Sequence, residues 1–140
     1  MYATTTDMIS RFGLQELIDL TDRDGTSGAL VEPVLTQALA DASAEIDGYI
    51  GGRYKLPLVS VPAVLTRICC DIARFHMYDE RAPDAISERY NNATKFLASL
   101  GKGELSLGLQ DEGEDSPSQN LAEISSAGSV FSRENSKGFI

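Results

Sequence analysis

"PAVLTRICCDIARFHMYDE", residues 62–80, decides the fold. Val64, Leu65, Ile68, Cys69, Ile72, Phe75 and Met77 recur at the spacing of a buried helix face, and this is the most apolar segment of the chain. It predicts the central helix of an all-α core. Pro57 and Pro62 hold the segment before it extended until that helix begins.

Upstream, "EPVLTQALADASAEIDGYI" (32–50) has Pro33 in its first turn and a stripe of Val34, Leu35, Ala38, Leu39, Ala42, Ile46, Tyr49 and Ile50. Gln37, Asp41, Glu45 and Asp47 fall on the wet side. Gly51 and Gly52 are expected to stop this helix by taking the left-handed conformation. Nearer the N-terminus, "TTTDMISRFG" (4–13) is a short helix capped by Thr, with Asp7 in its first turn and Gly13 at its close. "LQELIDLTD" (14–22) is another, with Leu14, Leu17 and Ile18 on one face and its end near Leu20, before the loop "RDGTSG". Downstream, "PDAISERYNNATKFLASLGKG" (83–103) places Ile86, Tyr90, Ala93, Leu97 and Leu100 on one face, with Gly101 as its stop.

The expected architecture is all-α: a small bundle of about five helices with an extended, partly irregular C-terminal arm. Residues 1–103 form the helical body and 104–140 an extended acidic linker and docking arm. After Gly101 the composition turns to Gly, Ser, Asp and Glu, and "DEGEDSPSQN" (111–120) cannot build a core alone. The terminus "SVFSRENSKGFI" (129–140) regains apolar and basic anchors in Val130, Phe131, Arg133, Lys137, Phe139 and Ile140. Those residues read either as a floppy end that happens to contain aromatics or as an arm that orders against a partner surface.

Bulk properties narrow the function. The chain's 140 residues, 42% of them hydrophobic, suffice for one modest domain. With 21 acidic residues against 12 basic, the net charge of −9 argues against a protein that grips nucleic acid through its phosphates. No apolar run approaches the roughly 18 residues of a membrane span, and "MYATTTDMIS" lacks the basic and apolar regions of a signal peptide, so synthesis in the cytosol is expected.

Chemistry finds little footing. Dinucleotide and P-loop phosphate cradles, zinc-protease helices and nucleophile elbows are missing as motifs. Adjacent helical residues point about 100° apart, so Cys69 and Cys70 read as buried or half-buried thiols that cannot easily pair with each other. His76 has Asp79 at hydrogen-bonding spacing but no nucleophile beside it. Asp22, Asp24 and Gly25 begin like a calcium loop and lack its later ligands, and the cluster Asp111, Glu112, Glu114 and Asp115 reads as solvated charge. No catalytic, cofactor-binding or metal-ligating residue is assigned.

The corner "GGRYKLPLVSVP" (51–62) is the remaining feature of interest. Its glycines permit a tight reversal, and Arg53 and Tyr54 add a forked donor and a flat amphipathic ring. It serves as a helix-to-helix connector with Tyr54, Leu56 and Leu58 tucked onto the bundle. It also suits a rigid loop that meets a neighbouring subunit, with Arg53 pairing to an acidic residue there.

"IDGYIGGRYKLPL" (46–58), "VPAVLTRICCDIARFHMY" (61–78) and "VFSRENSKGF" (130–139) together resemble the Mu-like phage family of head-to-tail connector, or adaptor, proteins. The likeness spans residues 3–100 and the last dozen. It implies a non-enzymatic, cofactor-free virion protein at the head-tail neck, forming a ring of about twelve copies. Such a ring joins a portal protein to a tail-side neck or tail-terminator protein, and DNA passes its lumen without specific binding. By the same resemblance, Arg53 and Tyr54 belong to the family's arginine-tyrosine loop, and the terminal arm is the docking element. An acidic lumen would repel DNA, while subunit contacts would have to be apolar or to pair acids with arginines drawn from Arg11, Arg23, Arg53, Arg67, Arg74, Arg81 and Arg89. The alternative class is a soluble helical protein-binding or regulatory domain with an acidic tail, which needs no ring.

Overall fold

A computed structural model describes residues 1–108. In order, the helices are α1 (Thr5–Phe12), α2 (Leu14–Thr21), α3 (Glu32–Ile50), α4 (Ala63–Tyr78) and α5 (Asp84–Gly101), with a 3-10 turn at Asp79–Arg81. The all-α bundle expected from periodicity is therefore the fold, and no strand occurs among the described residues. The arm residues Val130, Phe131, Arg133, Lys137, Phe139 and Ile140 lie outside the described residues.

α4 is the centre. Leu65, Ile68, Cys69, Cys70, Ile72 and Ala73 are fully buried, and α3 contributes Leu35, Leu39, Ala42, Ile46 and Ile50 to the same core. α5 closes the layer with Ala93, Leu97 and Leu100. Because one loop joins α3 to α4 and another joins α4 to α5, the three long helices run up, down and up. The C-termini of α3 and α5 thus lie at one end of the body. The 22–31 loop and the C-terminus of α4 lie at the other.

Local chemistry fixes the short helices. Thr4 and Asp7 form a capping box on α1: the Asp7 N–H donates to the Thr4 hydroxyl at 3.2 Å and the Thr4 N–H donates to Asp7 Oδ2 at 2.9 Å. Ahead of the cap, the Tyr2 N–H donates to Ser43 Oγ at 3.1 Å and the Tyr2 hydroxyl donates to Asp47, pinning the N-terminus along α3. Leu14, expected on the buried face of α2, is 48% exposed at the first residue of the helix, directly after Gly13. Tyr49, expected in the α3 stripe, is 37% exposed near the C-terminal end of α3.

The glycine stops are corrected by the backbone. Gly51 keeps a right-handed conformation (φ −62°, ψ −21°), and the Arg53 and Tyr54 N–H groups both donate to the Ile50 carbonyl. Winding therefore continues past the helix end, and Gly51 is there for space: a Cβ would stand 2.9 Å from the Asp47 carbonyl and 3.5 Å from Leu56 Cδ1. Gly101 likewise lies inside α5, and the left-handed residue is Gly103 (φ 87°). At Gly101 a Cβ would collide with the Tyr49 carbonyl, so glycine lets α5 approach the end of α3.

Gly48 tests this distinction, since it lies in α3 with open space around its Cα. Gly48→Ala is expected to raise unfolding free energy by about 0.5–1 kcal/mol through helix propensity. Gly101→Ala is expected to lower it by about 1–3 kcal/mol despite the same propensity gain, because the helices must part. Urea denaturation of both variants checks the signs; equal effects would remove the close-approach argument.

Candidate functional site

The corner after α3 alternates. Tyr54 is buried, Leu56 and Leu58 are half-buried against the core, and Lys55, Pro57 and Val59 face outward. This is the period of extended chain lying on an apolar surface, and it ends where Pro62 begins α4. The Leu56–Pro57 peptide bond is cis.

Arg53 and Tyr54 work together at the foot of the body. Arg53 Nη1 donates to the Leu100 carbonyl at 2.7 Å and to the Leu105 carbonyl at 2.6 Å. Its guanidinium lies 5.1 Å from the centre of the Tyr54 ring. The Tyr54 ring is only 1% exposed, and its hydroxyl accepts from the Leu107 N–H at 3.1 Å. Arginine and tyrosine thus grip the chain where it leaves α5, tying residues 105–107 to the corner. Sequence reasoning found both residues and looked for their partners in a neighbouring subunit. In the folded chain these contacts are intramolecular, and Tyr54 is a core residue, as the connector reading of the corner expects.

The remaining arginines are mostly engaged within their own chain. Asp71, 3% exposed on α4, receives Arg67 from the same helix at 3.4 Å and Arg89 from α5 at 3.1 Å. Arg74 makes a two-pronged contact to Glu16, Nε to Oε2 at 2.7 Å and Nη2 to Oε1 at 3.0 Å, while lying 4.2 Å from the Phe12 ring centre. Tyr78 adds a bond to Glu16 at 3.0 Å, so α1, α2 and α4 meet there. Arg23 donates to the Met77 carbonyl at 2.9 Å. Asp71 escaped the sequence reading; the Arg67 four residues before it was the available signal, whereas Arg89 comes from another helix.

Glu16 makes the body sensitive to acid. Burial alone would raise its pKa, but the hydrogen bonds from Arg74 and Tyr78 and the Arg74 charge outweigh it, leaving the carboxyl below its ordinary 4.5. A depressed carboxylate stabilises the fold above its unfolded pKa, and that stability is lost as pH falls through the lower, folded value. Glu16→Gln is expected to cost about 1–2 kcal/mol at neutral pH and to decline less than the parent below about pH 4.5. Denaturant unfolding at pH 7 and pH 3.5 measures it, and equal losses in both proteins would refute the link.

Groups that could do chemistry are otherwise occupied. His76 Nε2 is 3.0 Å from Glu45 Oε1 on α3, and Tyr90 donates to Glu45 Oε2 at 2.8 Å. The expected partner Asp79 is corrected: it leaves the helix with φ 59°, and Glu45, expected in water, reaches across instead. Phe75 stacks on Tyr90 at 4.1 Å, and burial together with the Glu45 bond pushes the Tyr90 hydroxyl up to about 12. Cys69 and Cys70 are free and buried; burial raises both thiols, Cys70 to about 12, which keeps them protonated at neutral pH. Asp22 and Asp24 turn their carboxylates onto their own loop, accepting from the Ser27, Gly28 and Thr26 N–H groups. Among the described residues no cluster of three His, Cys, Asp or Glu could hold a metal ion, and no helix is long and apolar enough to cross a membrane.

With this geometry in view, comparison with known proteins is informative. A family model described as Bacteriophage Mu, Gp36 matches residues 2–126. The chain is 44% identical over 140 residues to the Mu-like prophage FluMu protein gp36 of Haemophilus influenzae, covering 100% of this chain and 99% of that protein. It is 36% identical over 140 residues to gene product J of Escherichia phage Mu, covering 99% of each.

Proposed function

The chain belongs to the bacteriophage Mu Gp36 family, and from that premise we propose that it is a structural protein of the phage particle, a head-to-tail connector. In this reading copies of the helical body form a ring of about twelve subunits at the neck. The ring contacts the portal on one side and a tail-side neck or terminator protein on the other. It carries no catalytic activity and needs no cofactor. DNA passes through the lumen, and the net charge of −9 carried by each whole chain disfavours adhesion of the phosphate backbone.

The observation that carries the proposal is the grip of Arg53 and Tyr54 on residues 105–107. A body that clamps the root of residues 109–140 gives those residues a fixed point of departure, which a chain that reaches a neighbouring protein requires. Val130, Phe131, Arg133, Lys137, Phe139 and Ile140 are the side chains assigned to that reach.

Deleting residues 129–140 from the phage-encoded chain is expected to yield filled heads without tails, while the purified body keeps its melting temperature. Arg53→Ala is expected to weaken joining in the same direction. Electron microscopy of the particles decides: normal joining after the deletion would end the arm's assignment. A chain absent from the neck of the parent particle would end the connector reading and favour a soluble binding domain.

A further inference from the structure

The most exposed apolar side chain of the body is at the tip of the corner. Val59 is 106% exposed and Val61 is 41% exposed, in a segment held from behind by Leu56 and Leu58 and bounded by prolines. A valine held out into water on a stiff support is a knob without a hole. A hole exists elsewhere on the same molecule. Pro33, Val34, Ala38 and Met77 line an open groove of about 400 Å³, together with Arg23, Gln37, Asp41 and His76.

Knob and groove lie at opposite ends of the body. α3 begins beside the groove and ends at the corner; from Val34 to Ile50 its axis advances about 24 Å. The knob cannot fill its own chain's groove. Charge follows the same division. From Gly48 to Cys70 the sequence holds no acidic residue and carries Arg53, Lys55 and Arg67, in a chain of net charge −9. Asp41 lines the groove together with Arg23, whose guanidinium donates to the Met77 carbonyl at 2.9 Å, and Asp22, Asp24 and Glu32 adjoin these lining residues in sequence.

From these observations we infer that the occupant of the groove is a second copy of this chain, which inserts Val59 and Val61 with Lys55 facing Asp41. The contact is heterologous: each copy offers a knob to one neighbour and a groove to the other, the arrangement that generates rings rather than closed pairs. It deepens the connector reading and rests on it for closure of the ring. The contact itself can fail while the chain keeps its place in the particle.

Two variants of the full-length chain separate the faces. Val59→Asp removes the apolar knob and puts a charge where the groove offers Pro33, Val34, Ala38 and Met77. Gln37→Arg fills the groove rim with a cation while preserving the contact with Asp41, to which Gln37 Nε2 now donates at 2.9 Å. Both positions are exposed, so both variants are expected to melt with the parent.

Sedimentation velocity from about 1 µM to about 1 mM is expected to show self-association of the parent, weakened in roughly 0.5 M salt by screening. Each variant alone is expected to associate at least about 10-fold more weakly. Mixed one to one, they are expected to form a heterodimer and stop there, since a single intact knob and a single intact groove remain. A parent that stays monomeric to about 1 mM overturns the inference, as does a Val59→Asp chain that associates like the parent or a mixture that forms no heterodimer. In the last two cases the neck position, read from particles, stands or falls separately.

Discussion

Tyr54→Ala is expected to lower the unfolding free energy by about 3–5 kcal/mol, the largest single-residue loss in the body. The side chain is 1% exposed and belongs to the same core as Ile50 and Leu100. Removing the ring takes away its buried apolar area and leaves a void between the ends of α3 and α5, where Gly101 already lets the helices approach closely. Tyr54→Phe isolates the hydroxyl. It keeps the packing and strips the Leu107 N–H of its acceptor, a change worth about 1 kcal/mol. The variants differ in where they act. Tyr54→Ala shifts the global urea midpoint, while Tyr54→Phe is expected chiefly to speed amide hydrogen exchange at Leu107 with a small midpoint change. Unaltered exchange at Leu107 would show that the hydroxyl does not hold the departing chain.

The corner also shows which features a sequence discloses and which it hides. Helix positions were legible because apolar residues at three-and-four spacing have few ways to be buried, and Thr4, Asp7, Pro33 and Pro62 mark boundaries by local chemistry alone. Gly51 and Gly101 were recognised as special but given the wrong reason. The usual association of glycine with left-handed helix ends is local; Gly51 instead needs clearance from the Asp47 carbonyl one turn earlier in its own helix, and Gly101 clearance from the Tyr49 carbonyl of another helix. Partners far apart in sequence were invisible for the same reason. His76 was matched with Asp79 three residues away, but a helix that ends at Tyr78 turns Asp79 elsewhere and leaves Glu45, 31 residues upstream, as the acceptor. At the candidate site, the identities of Arg53 and Tyr54 were readable from the corner's composition. Their partners were not, since Leu105 and Leu107 contribute only backbone atoms, which no side-chain pattern advertises.

The second large effect concerns Asp71, and it is asymmetric. The carboxylate is 3% exposed, whereas the side chains of Arg67 and Arg89 are 48% and 50% exposed. Losing the acid frees two cations that can turn into water at small cost. Losing both cations strands a buried anion, which is expected to cost about 3–5 kcal/mol in the Arg67→Ala/Arg89→Ala double variant. Adding Asp71→Asn to that variant removes the stranded charge and is expected to recover more than half of the loss. A triple variant no more stable than the double one would mean that the arginines act through their aliphatic packing instead. The arrangement also bears on register. Arg67 lies one turn before Asp71 on α4, but Arg89 comes from α5, so the carboxylate can be satisfied from both sides only when α5 has one particular position along α4. A slip of α5 by one turn, about 5.4 Å, would leave Arg89 out of reach and move Gly101 away from the Tyr49 carbonyl. The buried acid midway along α4 and the glycine at the end of α5 therefore select the same alignment. That alignment brings the end of α5 to Arg53, from which the rest of the chain departs.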